Sequence, residues 1–199
     1  MSRAVKRSQG DSPGRIAVAE AARRLFKKSG YASTTIEAIA EEAGYAVQTV
    51  YFHFKTKAAI VQYLVARMRE ETITPAFERS MEDQAAESRL GALAKIARHT
   101  SESWWDLYEV LRSASQSDET LSALVADMDG GRLYGQRLLA KALAARGELG
   151  PGVDVATATD VIWALASEDT YRRLVVERKW SPKRYESWLS RCLSNELLG

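Results

Sequence analysis

The 199-residue chain has a single cysteine, Cys192. That excludes an internal disulfide and a cysteine-rich zinc site. Histidine occurs only at His53 and His99, so no metal-ligand spacing arises. Neither a phosphate-cradling glycine loop nor a nucleophile elbow is present. Proline is confined to Pro13, Pro75, Pro151 and Pro182, which leaves long stretches open to helix. No apolar run approaches the roughly 20 residues of a membrane span. The opening "MSRAVKRSQGDSPGR" is basic and lacks the apolar core of a secretory signal. These absences lead us to expect a cytoplasmic chain with no membrane segment, no cofactor and no metal.

The composition that remains is that of a globular protein with a sizeable core, 46% apolar and 27% charged. Net charge is +2, but it is uneven. Residues 1–57 hold 10 Lys and Arg against 5 Asp and Glu, and the rest hold 18 against 21. A basic N-terminal third on a near-neutral body fits a polyanion partner at one end, or a solvated basic tail.

The punctuation between these marks is helical. Ser12-Pro13 reads as an N-cap followed by proline at the first helical position. Val18, Ala22 and Phe26 share one face of that helix, and Gly30 stops it. Thr34 and Thr35 are both candidate caps for the next helix, which carries Ile39 and Ala40 inward and ends at Gly44. A further helix follows Thr56, with Pro75 expected to kink or end it. Two or three helices are expected over about 87–146, with Asp118 as a cap and Gly130-Gly131 as an interruption. Helices of about 154–178 and 182–197 complete the chain, the last capped by Ser181.

The stretch "YAVQTVYFHF" (45–54) is strand-loving by propensity. It has no partner strand anywhere in the chain, and a lone strand leaves its backbone groups unsatisfied. Helix is therefore expected. Val50, Tyr51 and Phe54 then face inward, while Gln48, Thr49, Phe52 and His53 face mainly outward. With Gly44 turning the chain before it, the result is a helix-turn-helix over about 35–54.

The segment "AARRLFKKSGYASTTIEAIAEEAGYAVQTVYFHFKTKAAIV" (21–61) resembles the DNA-binding domain of TetR-type transcriptional regulators. Ala21-Ala22, Leu25-Phe26, Gly30-Tyr31, Thr35, Ile39-Ala40, Ala43-Gly44, Thr49-Val50-Tyr51, Phe54 and Lys57 carry the likeness. "LVVERKWSPKRYESWLSRCL" also resembles the ending of many members. The resemblance implies an all-α fold. A flexible basic arm (1–11) would precede a three-helix DNA-binding domain (12–72) and a helical ligand-binding and dimerisation domain (73–199). It implies a homodimer on a palindromic double-stranded DNA operator, released by a hydrophobic or aromatic small molecule. Repression is the commoner outcome.

Residue by residue, Thr35 would hold a phosphate at a helix N-terminus. Gln48 and Thr49 would meet base edges or phosphate, while Tyr51 and Lys57 would bind phosphate. Phe52 and His53 belong to the same surface. Two positions depart from the family pattern. Ala46 stands where a Ser or Thr cap is usual, a loss of about 1 kcal/mol. Val47 stands where Lys or Arg is usual, and its methyls suit a thymine methyl instead. Plainer readings stay open. Tyr51 and Phe54 as core aromatics, His53 as a surface residue, Lys57 as a helix-start decoration, and Arg3, Lys6 and Arg7 as a tail rather than an arm are all compatible with the sequence.

All five tryptophans lie beyond residue 100. They serve either as core or as the walls of an effector cavity. The cavity candidates are Trp104, Trp105, Tyr108, Arg112, Tyr134 and Trp163, with His99 a further polar contact or a solvent-facing residue. Val161, Ile162, Leu165, Trp188, Leu189, Cys192 and Leu193 would pair with symmetry mates in a four-helix interface, or else cover their own core. The rival function classes are an architectural helical DNA-binding protein without an effector, and an enzyme. No pair of carboxylates is marked out for the latter.

Overall fold

The computed structural model describes residues 12–82 and 85–199. The basic arm expected at 1–11 lies outside them. Among the described residues there is no strand, and no helix is long and apolar enough to cross a membrane. The helices are α1 (Pro13–Ser29), α2 (Ile36–Ala43), α3 (Val47–His53), α4 (Lys57–Met68), α5 (Thr74–Glu82), α6 (Ala86–Ala114), α7 (Glu119–Ala145), α8 (Val155–Leu165), α9 (Glu168–Tyr171) and α10 (Pro182–Leu197).

Most boundaries follow from capping chemistry. The Ser12 hydroxyl accepts from Arg15 N–H, Thr35 from Ala38 and Thr56 from Ala59. Asp118 accepts from Thr120 and Leu121, Asp154 from Thr157, and Ser181 from Arg184. Thr34, the rival of Thr35, instead donates to the Gly30 carbonyl and is buried. Gly44 takes the left-handed conformation (φ 73°, ψ 29°). There Tyr45 N–H reaches back to the Ala40 carbonyl at 2.9 Å, which closes α2 and turns the chain into α3.

One expected break takes a particular form, and two differ from the sequence reading. The helix that follows Thr56 gives way at Met68, ahead of Pro75. A π-helical turn at Arg69–Ile73 precedes it, and the widened turn accommodates a ring that would otherwise crowd the preceding carbonyls. Gly130-Gly131 does not interrupt α7, which runs through both, since flanking residues carry its packing. The expected helix over 154–178 is interrupted after Leu165. Ser167 is extended (ψ 155°) and caps a new start at Glu168.

Two apolar clusters form the core. One joins Val18, Phe26, Ile39, Val50, Phe54 and Leu64 of the first four helices to Trp104, Leu107 and Leu111. The other joins Leu90 and Ala94 to Leu139, Ile162, Tyr185, Leu189 and Leu193. α6 serves both, and its backbone leaves helical geometry at Trp104 (φ −126°, ψ 19°), where one cluster gives way to the other.

Candidate functional site

The chain from 35 to 54 folds as a helix, a left-handed turn and a second helix. Val50 and Phe54 of α3 are buried against α1 and α2. The rest of α3 is presented outward. Phe52 is 78% exposed and Tyr51 44% exposed, and Gln48 is exposed. Tyr51 therefore leaves the inner face assigned to it from its spacing, and its hydroxyl reaches the surface. Thr35 is exposed at the start of α2, with free backbone donors of the first turn around it.

Ala46 caps α3 with no side-chain hydrogen bond, as its methyl group dictates. Val47 packs partly against the first cluster, so the core takes some of the methyl surface expected at thymine. Thr49 is half-buried. His53 turns back toward α1, where an added Cβ on Gly14 would stand 3.0 Å from its Nε2. His53 thus seats α3 on α1 instead of projecting.

Lys57 is the main correction. Its ammonium donates to the carbonyls of Tyr31 (2.7 Å) and Thr34 (2.8 Å) and stands 4.6 Å from the centre of the Tyr31 ring. Burial lowers its pKa, opposed by the charge of Asp118. The cation is spent on the loop before α2, not on an open phosphate site. Tyr45, beside the turn, and Lys55, just after α3, are exposed as well.

The helix-turn-helix head, α1 to α4, is bolted to the second half of α6. Arg23 grips Asp106 with two 2.7 Å hydrogen bonds and donates to the Ser103 carbonyl at the α6 break. Its guanidinium lies 4.1 Å from the Trp104 ring centre. Tyr31 donates to the Asp118 carboxylate at 3.0 Å. Trp104 is buried, and its indole N–H reaches Thr72. It is a junction residue, not a cavity wall.

The expected effector residues divide. Trp105 and Arg112 line an open cleft of about 470 Å³ between α1 and α6, with Arg23, Lys27 and Tyr31. Arg112 is mostly exposed and paired with Glu109. Tyr134 is 67% exposed and does not line that cleft. His99 faces solvent. Tyr108 and Trp163 do meet a common group. Tyr108 hydrogen-bonds to Glu168, and burial with that carboxylate pushes its pKa up. Glu168 lies 3.8 Å from Arg132, whose guanidinium stacks on Trp163 at 3.7 Å. Tyr185 is buried within reach of the charges of Glu168 and Arg132, and Gln136, one turn after Arg132 on α7, is buried as well. Arg132, Glu168, Gln136 and Tyr185 were missed because no local pattern marks them; α7, α9 and α10 bring them together.

Of the expected interface residues, Ile162, Leu189 and Leu193 are fully buried inside the chain's own core. They cannot also face a partner. Val161, Leu165, Trp188 and Cys192 remain partly exposed.

Residues 18–64 match the family of bacterial regulatory proteins, tetR family. That segment is a tetR-family DNA-binding domain. Members of the TetR family are DNA-binding regulatory proteins, not enzymes. The HTH-type transcriptional regulator TtgR of Pseudomonas putida is 38% identical over 82 residues, 41% of this chain and 38% of that one. The match thus spans little more than a third of that relative's length. The fold extends further. The fatty acid degradation regulator FadR from Bacillus halodurans superposes with a TM-score of 0.79 at 18% identity, over 92% of this chain and 95% of that one. The Stenotrophomonas maltophilia repressor SmeT, in complex with triclosan, gives 0.75 at 21% identity over 94% and 93%. The rest of the chain therefore shares their helical architecture.

Proposed function

We propose that the protein is a ligand-responsive repressor that binds a palindromic operator as a homodimer and leaves it when a small hydrophobic or aromatic effector binds. The observation that carries this reading is the exposed tip of α3. Burying a phenylalanine is worth about 1.5–3 kcal/mol, yet Phe52 is 78% exposed beside Gln48 and Tyr51. A surface that forgoes this gain is explained by a partner. The major groove supplies one: thymine methyls for Phe52, a base edge for Gln48, and phosphates for Tyr51, Thr49 and the first turn of α2.

Val161, Leu165, Trp188 and Cys192 are the residues left to meet a second copy. A two-fold pair of heads reads two half-sites about 34–36 Å apart. An effector in the C-terminal domain acts by favouring a different spacing. The route runs through the bonds from Arg23 to α6 and from Tyr31 to Asp118. TtgR is a transcriptional regulator by name, and SmeT is a repressor that has been seen with triclosan; the architecture shared with SmeT supports the same division of labour.

Selection of bound sequences from a random duplex pool tests the reading. A two-fold motif is expected, with affinity falling steeply as salt rises. Gln48→Ala should relax preference at one position in each half-site, a loss of about 1–3 kcal/mol of discrimination. Equal binding to all sequences would favour an architectural protein.

A further inference from the structure

We infer that Arg132 occupies the seat of a planar cationic effector, in the corner formed by Trp163, Glu168 and Tyr108. The inference rests on the effector reading above and names the chemical class. The Arg132 guanidinium lies 3.7 Å from the Trp163 ring centre, the stacking arrangement of a cation on an aromatic face. Its charge is met by Glu168 at 3.8 Å and by Asp129 at 3.2 Å. Yet its Nε and Nη1 are buried without hydrogen-bond partners, although a guanidinium carries five donors that demand them.

The corner therefore has the ring and the charge for a flat cation, while its resident cation fits poorly. A ligand free of the α7 backbone can bring its N–H groups squarely onto Glu168. The Tyr185 hydroxyl, within reach of the charges of Glu168 and Arg132, is also buried without a partner, and it suits a polar substituent on the same ligand. The corner is reachable, with the Arg132 side chain 20% and Glu168 32% exposed. A way out for Arg132 exists too. Asp129, on the same helix, is 49% exposed and keeps the arginine paired when it swings outward. An anionic effector is disfavoured, since it would sit beside two carboxylates.

The test uses the full chain and three probes of one shape: 4-aminobenzamidine, 4-aminobenzamide and 4-aminobenzoate. Binding is followed by calorimetry and tryptophan fluorescence. The amidine should bind at least about tenfold tighter than the amide, because a charge-assisted hydrogen bond replaces a neutral one. Glu168→Gln should erase that ratio. Arg132→Gln should tighten amidine binding several-fold by vacating the seat. An amide or benzoate that binds as well as the amidine overturns the assignment. So does weaker amidine binding by the Arg132→Gln variant, or no amidine binding at millimolar concentration. Should Glu168→Gln fail to fold, as melting would report, the ratio in the unaltered chain and the Arg132→Gln result still decide. The operator selection uses no probe, so failure here is separable from failure of the proposed function.

Discussion

At the residue scale, Lys57 shows what a linear pattern conceals. A cation at a helix N-terminus opposes the helix dipole, and sequence reasoning explained it by an external phosphate. The fold supplies backbone carbonyls of Tyr31 and Thr34 in that role. No local rule gives the path of the 31–34 loop, so the pairing was not legible. Lys57→Ala should destabilise the chain by about 1.5–3 kcal/mol, the usual worth of hydrogen bonds to a charged group, measured by denaturant midpoint. Operator affinity should fall with stability, while its salt slope stays unchanged. A slope flatter by about one unit would return Lys57 to the phosphate contacts. Gln48, Phe52 and Phe54, by contrast, were legible from helical spacing, although the same spacing misplaced Tyr51 and His53.

At the element scale, caps made the fold readable. Ser12, Thr35, Thr56, Asp118, Asp154 and Ser181 all cap through their side chains. The break after Leu165 has no glycine or proline to announce it, and it places Glu168 where it matters. The clasp between α6 and α10 was equally hidden. Burial opposes ionisation of Glu186, but hydrogen bonds from Arg98 and Lys183 outweigh it and hold the carboxyl below its ordinary value of 4.5. A depressed carboxyl stabilises the fold above its unfolded pKa and stops doing so as pH falls through its folded pKa. Thermal stability should therefore drop as pH falls below about 4.5. Glu186→Gln should melt lower at neutral pH and show a shallower acid limb in the same melting series.

At the scale of the whole molecule, the residual apolar surface argues for pairing. Val161→Glu together with Cys192→Glu should yield a folded monomer by light scattering. Operator affinity should fall by about a hundredfold or more as bivalency is lost. Ile162→Glu should unfold the chain instead, because that side chain is buried within it. The all-helical class was legible from a lack of strand partners, whereas the division of apolar residues between core and interface was not. A helical stripe records only that a face is covered, not by which chain.

The break at Trp104 bears on how such proteins can be recombined. The indole and the residues just after it fill the same apolar cluster as the reading head. Chimeras cut near residue 72 would leave that cluster mismatched on both sides of the splice. A DNA-binding domain transplanted with its own segment from Trp104 to Met128 would carry that interior into a foreign regulator.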